Sequence, residues 1–266
     1  MKPHLFLGTA FMALCAFWLA SPTPMFAEQT ISCPTGQYDM LDWLTMDSDL
    51  RGSYFLNGNN NPIYTVLDSA NSKYYWIKGA NGYPWDINLY DSSYIYQWIT
   101  EYDWNHPHTY KKFYSNTNMP FVPRCATAGS PGWSIAVPPS GTPFNSVYGF
   151  YGSSSNNSCA LDTTKNLNWV VNELWGPYSE HLGGNLPDPI QTLVIAYRHG
   201  CTKNPNGSYS CAEKEEFHVA QRYGLVQWKH FNGTCDGSGN CTWSNDKTST
   251  FNQMTAGSTS PDFPCF

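Results

Sequence analysis

Cys201-Thr-Lys-Asn-Pro-Asn-Gly-Ser-Tyr-Ser-Cys211 is the stretch on which the fold turns. Its Asn206-Gly207 step is a strong tight-turn signal, because both residues tolerate the positive φ that a two-residue hairpin turn requires. Cysteines flank the turn on both sides, which predicts a local disulfide across a β-hairpin. Cys235-Asp-Gly-Ser-Gly-Asn-Cys241 repeats the design at smaller scale and predicts a second stapled hairpin. Between the staples, residues 215–219 and 224–231 are rich in β-forming and aromatic side chains and read as strands. Residues 168–175 and 192–198 read the same way, with a Gly183-Gly184-Asn185 turn between them.

Working toward the amino terminus, the pattern stays β with one exception. Met40, Leu41, Trp43, Leu44 and Met46 recur at a spacing that suits a short helix. Asn57-Gly58-Asn59-Asn60-Asn61-Pro62 is a turn cluster, and residues 63–67 and 74–78 follow as strands. Tyr94, Tyr96, Trp98, Tyr102 and Trp104 alternate along one face of a segment that competes between strand and helix. Its β-propensity favours the strand. The fold class expected is mainly β: a disulfide-stapled β-sandwich or jelly roll with a short amino-terminal helix.

Residues 1–27 have the anatomy of a secretory leader, with Lys2, an apolar core over 5–20, and Ala27 as last residue. Cys15 lies inside it. The remaining 28–266 are expected to form a single secreted β-rich domain, extracellular or periplasmic, with no membrane insertion after the leader is removed. Eight cysteines follow the leader, and an even set in an exported chain implies disulfides. With Cys201–Cys211 and Cys235–Cys241 assigned, Cys33, Cys125, Cys159 and Cys265 have three possible pairings. Joining Cys33 to Cys265 would tie the two ends of the chain together.

The net charge is −6 for the whole chain, and loss of Lys2 makes it one more negative. That argues against nucleic acid as a partner, since nucleic acid attracts basic patches. Charged residues are scarce at 13%, while aromatics reach 16%. Tyr and Trp join apolar area to a hydrogen-bonding tip, and their rings can stack on the C–H faces of sugars. Most of these rings are expected in the core.

Several residues carry possible acid–base chemistry. Asn172-Glu173 resembles the acid/base motif of retaining glycosidases with a (β/α)8 barrel, where the Glu protonates the leaving oxygen. The alternating helices of that barrel are missing from this chain. Lys214-Glu-Glu-Phe-His-Val219 and Gly224-Leu-Val-Gln-Trp-Lys-His230 form the other constellation. Strand alternation pairs Glu216 with His218 and Trp228 with His230, and antiparallel pairing places all four on one sheet face. The connecting Ala220-Gln221-Arg222-Tyr223 leaves the register open, and a slip or bulge brings Gln227 round to the His face.

The sequence offers no cofactor or metal site. His106-Pro107-His108 lacks a third and fourth ligand, no Gly-x-Ser-x-Gly elbow is present, and no phosphate loop or dinucleotide fingerprint occurs. The expectation is a secreted carbohydrate-active protein, of hydrolase or lyase type, acting on an extracellular polysaccharide. Glu173, Glu216, His218 and His230 are the proton-transfer candidates. Tyr197, Arg198, Gln227, Trp228, Trp98 and Tyr102 are the substrate-contact candidates. The alternative is a noncatalytic glycan-binding or cell-surface interaction protein.

Overall fold

The computed structural model describes residues 31–79, 82, 84–101, 109–114, 119–127, 133–137, 144–151 and 165–261. The expected leader, Tyr102, Cys159 and Cys265 lie outside them, as do His106 and His108. In chain order the elements are β1 (Tyr38–Asp39), α1 (Met40–Leu44), β2 (Ser53–Asn57), β3 (Pro62–Asp68), β4 (Lys73–Lys78), β5 (Pro84–Tyr90) and β6 (Tyr94–Glu101). They continue with β7 (Thr109–Tyr114), β8 (Met119–Pro123), β9 (Cys125–Ala126), β10 (Trp133–Val137), β11 (Phe144–Tyr151) and β12 (Lys165–Glu180). The last four are β13 (Ile190–Lys203), β14 (Tyr209–Ala220), β15 (Gly224–Cys235) and β16 (Cys241–Ala256).

The chain is mainly β and disulfide-stapled, with one short helix near its start, as the sequence indicates. Helix α1 is short because its signals are local. The Asp39 side chain caps it by accepting from Leu41 N at 3.0 Å, and Thr45 closes it, its hydroxyl donating to the Leu41 carbonyl at 2.8 Å. Met40, Leu41, Trp43 and Leu44 are all buried, so tertiary packing holds a helix too short to persist alone.

One antiparallel ladder runs β10-β12-β11-β7-β6-β5-β4-β3-β2-β16-β15-β14-β13, with β8 on β6, and β13 pairs again with β12. The ladder therefore nearly closes on itself, which leaves few free strand edges. Its two walls face each other through aromatic rings. Trp76 of β4 stacks on Phe217 of β14 at 5.3 Å, and Trp85 of β5 meets Trp228 of β15 edge to face at 5.5 Å. These four rings are all at most 5% exposed, and inward and outward residues alternate along each strand. This layered core is what the aromatic surplus chiefly supplies.

Residues 94–101 are strand rather than helix. Ile95 and Gln97 face the interior at 0% and 1% exposure, while Tyr94, Tyr96 and Trp98 lie half-buried on the opposite side. Strands β1, β2, β5, β7, β8, β9, β10, β11 and β16 went unanticipated. For β16 the reason is composition: it is rich in Thr, Ser and Asn and mostly exposed, so it lacks the apolar alternation that marks a strand.

Both predicted staples are present. Cys201–Cys211 and Cys235–Cys241 are disulfides, each joining residues directly opposed in a hairpin register. Cys33 pairs with Cys125 and not with Cys265, so the disulfide fixes β1 to β9 rather than joining the ends of the chain. Beside it Arg124, 2% exposed, grips Asp39 through Nε and Nη2 at 2.5 and 2.9 Å. The Gly183–Gly184 turn is likewise a packing requirement. Gly184 has φ +68°, and a Cβ there would meet the Asn252 carbonyl oxygen at 2.1 Å.

Candidate functional site in the cleft between the walls

The β14–β15 register decides which side chains meet. Glu215 lies opposite His230, Phe217 opposite Trp228, and His218 opposite Gln227. Directly opposed residues share a face, so Trp228 and His230 join Glu215 and Phe217 on the inner face. Glu216 and His218 lie on the outer face with Gln227 and Lys229. The expected grouping of Glu216, His218, Trp228 and His230 on one face is thus corrected. The tight connection at 221–223, with Arg222 at φ 78°, and a bulge between His218 and Val219 set the register.

The outer face is a chain of paired charges. Thr192 Oγ1 donates to Glu180 Oε2 at 2.9 Å, and Glu180 Oε1 lies 2.9 Å from His218 Nδ1. His218 Nε2 is 3.6 Å from Glu216 Oε2, whose other oxygen accepts from Lys214 Nζ at 2.6 Å. The Lys214 ammonium also sits 4.1 Å from the Phe231 ring centre. Alongside, Arg198 Nη2 donates to Glu173 Oε2 at 2.6 Å, and Gln227 Nε2 donates to Thr250 Oγ1 at 2.7 Å. Burial alone would raise Glu216, yet His218 and Lys214 bring it down to about 2. Burial would lower His218, yet Glu180 and Glu216 raise it. Each ionised carboxylate favours the charged imidazole and the imidazole favours them in turn, so these groups brace one another on this face.

The inner face is different. Here Tyr197 lies opposite Glu215 and stacks on His199 at 4.9 Å. His230 Nδ1 contacts Asp246 Oδ1 at 2.5 Å. From the facing wall come Lys78 of β4 and Asp86 of β5, the latter 1% exposed. Lys78 Nζ lies 3.9 Å from the Trp85 ring centre. Burial pushes the Glu215 carboxyl up to about 8; the Asp86 charge pushes the same way, while Lys78 and the Trp228 indole oppose it. Glu215 is therefore a protonated carboxylic acid at neutral pH, next to a second carboxylate. That is the pattern of paired carboxyls driven apart by environment.

Deeper along β4, β5 and β6, Tyr74, Asn88 and Gln97 lie side by side in register and are at most 1% exposed. Among the described residues the Tyr74 hydroxyl, both polar atoms of the Asn88 carboxamide and Gln97 Oε1 have no hydrogen-bond partner. Gln97 Nε2 donates to Asp86 Oδ1 at 3.4 Å. Burial and the Asp86 charge raise the Tyr74 phenol well above 10. Each buried polar group without a partner costs about 1–3 kcal/mol, so this part of the core carries unspent hydrogen-bonding capacity.

Of the sequence candidates, Tyr197, Trp228 and His230 meet in this cleft. Glu173, Glu216, His218, Arg198 and Gln227 are on the opposite face of the sheet, where Glu216, His218 and Gln227 are buried, and Trp98 is on the outward side of β6 with Lys73 Nζ 4.8 Å from its ring centre. Glu215, Asp86 and Lys78 were missed. Their signal was present in the alternation: each is an ionisable residue on the same strand face as core aromatics, Phe217 for Glu215 and Trp76 for Lys78. Among the described residues no group of three or more His, Cys, Asp or Glu is arranged to hold a metal. No helix of the described residues is long and apolar enough to cross a membrane.

Protein-family models, curated proteins and solved structures yield no match to this chain.

Proposed function

We propose that this is a secreted carbohydrate-active protein that cleaves an extracellular polysaccharide in the cleft between its walls. The observation that carries the reading is Glu215, a carboxyl held at about 8 with Lys78 and Trp228 acting on it, two residues that also line an open cavity. That cavity, of about 370 Å³, is lined by Lys78, Trp85 and Trp228 among others, and it falls within the roughly 300–1,000 Å³ of small-molecule sites. Lys78 and Trp228 are also the groups that act on Glu215.

In this reading Glu215 is the general acid. It donates its proton to the departing glycosidic oxygen, and Asp86 supplies the second carboxylate that glycoside hydrolysis employs. Partial burial beside Trp228 lowers the local dielectric around the acid, which strengthens its electrostatics. The leader-like residues 1–27 and the disulfides support placement outside the cytoplasm.

The test is a panel of polysaccharides incubated with the wild-type protein, Glu215→Gln and Asp86→Asn, followed by product analysis. Turnover that falls at least about 100-fold in Glu215→Gln supports the assignment, in line with the usual worth of general acid catalysis. New reducing ends mark hydrolysis, and unsaturated ends mark a lyase. Undiminished turnover in Glu215→Gln would remove the acid from its role.

A second reading is a noncatalytic glycan-binding protein. It is favoured by the half-buried strip of Tyr94, Tyr96 and Trp98 on the outward side of β6, where Tyr94 and Tyr96 rings lie 5.9 Å apart. Retention of a glycan without new ends, lost on replacing Tyr96 and Trp98 by Ala, would select this reading instead.

A further inference from the structure

Two cavities adjoin at the mouth of the cleft, one of about 370 Å³ and one of about 350 Å³. Asn57 and Ser249 line both. The strand registers explain the junction: Ser249 of β16 lies opposite Trp228, and Phe251 lies opposite Asn57. Trp85, Trp228 and Phe251 line the first cavity as its aromatic floor. The second is walled by amides and hydroxyls, among them Asn59, Thr250, Asn252 and Gln253.

Some of these polar groups are already committed. Thr250 Oγ1 accepts from Gln227, and Asn252 Nδ2 donates to the Leu182 carbonyl at 2.6 Å. Asn57 Oδ1 accepts from the backbone of Asn59 and Asn61 at 3.0 and 2.9 Å. The side chains of Asn59, Ser249 and Gln253 line the second cavity and make no hydrogen bond to a described residue. Among the described residues Lys78 is the one ionisable residue in the linings, and it is engaged by the Trp85 ring.

From this juxtaposition we infer that the cleft takes an uncharged saccharide, one sugar face on the Trp85–Trp228–Phe251 floor and neighbouring hydroxyls on Asn59, Ser249 and Gln253. The chemistry follows from the groups. Amides and hydroxyls both donate and accept, as sugar hydroxyls do, whereas a uronate or sulfate needs a free cation and an amino sugar needs a free carboxylate. The overall charge of −6 also repels polyanions. This inference rests on the cleft being the saccharide site.

The test measures binding and turnover for a neutral β-glucan, a xylan, a galactomannan, polygalacturonate, a sulfated galactan and chitosan. The variants are the Asn59→Ala/Gln253→Ala double substitution and Glu215→Gln. Asn59 and Gln253 are exposed, so the double variant should melt with the wild type. We expect retention of a neutral glycan, little changed by salt, that weakens at least about tenfold in the double variant and persists in Glu215→Gln. Preference for a charged glycan, retention of no neutral glycan, or equal affinity in the double variant overturns the inference. The two proposals fail separately. Glu215-dependent cleavage of polygalacturonate overturns only the neutral-substrate inference, whereas rim-dependent neutral binding without turnover overturns only the catalytic reading.

Discussion

Replacing Glu215 by Gln should make the protein more stable at high pH, an unusual outcome for a change at a half-buried position. The carboxyl titrates near 8 in the folded chain against an ordinary 4.5, chiefly because of burial and then the Asp86 charge. The folded state therefore binds a proton that the unfolded state releases between those values. Stability attached to the protonated form is fully present below pH 4.5 and is lost as pH rises through about 8. At about 1.4 kcal/mol per tenfold change in proton affinity, the whole displacement is worth on the order of 5 kcal/mol. Gln copies the neutral acid in shape and cannot ionise, so it escapes the loss. Urea unfolding of both proteins at pH 4.5, 6, 7.5 and 9, with disulfides intact, reads this directly. The two curves should nearly coincide at pH 4.5, and the variant should gain several kcal/mol by pH 9. Parallel stability profiles would refute the buried-acid argument and with it the physical basis for the general acid.

Three further outcomes follow from the same geometry. In the chain-entropy treatment, replacing Cys33 and Cys125 by Ala should cost about 4–5 kcal/mol, since their separation is 92 residues. Removing Cys235–Cys241, separated by 6, should cost about 2–3 kcal/mol; denaturant titration that reverses this order would refute the loop-closure account. Glu216→Gln strands Lys214 and His218 on the outer face, and breaking such a pair costs about 3–5 kcal/mol at pH 7. Because Glu216 is held at about 2, the wild type keeps this contribution above pH 4.5 and loses it as pH falls toward 2, so the difference narrows in acid unfolding. The refolded variant should retain its glycan turnover, and loss of turnover at full folding would move the chemistry to the outer face. Asp39→Ala removes both the α1 cap and the carboxylate beside buried Arg124, and a loss of about 3 kcal/mol is expected by thermal unfolding.

Much of this fold was legible from local signals. The Asn206-Gly207 turn and its flanking cysteines specify a stapled hairpin whatever else the chain does, because turn, strands and disulfide lie within a dozen residues. Helix α1 carries its cap and apolar face in the same short stretch. Strand β6 was harder, since Ile95, Ile99 and Tyr102 also suit a helix; pairing with β5 and β8 decided it. Strand β16 was illegible because its partners, not its own side chains, hold it in place.

The amino-acid sequence by itself determined the β class, the two hairpin staples and the supply of aromatic and carboxyl groups. Each depends on residues close together in the chain. Tertiary structure alone decided that Cys33 meets Cys125, that Glu216 and His218 lie outside while Trp228 and His230 lie within, and that Asp86 and Lys78 face Glu215 across the cleft. A strand's two faces exchange with a one-residue shift in register, and that shift is set by a bulge and a turn conformation that side-chain alternation does not encode. The raised pKa of Glu215 comes chiefly from burial and then from the Asp86 charge, more than a hundred residues away, so it exists only once the walls have closed on one another.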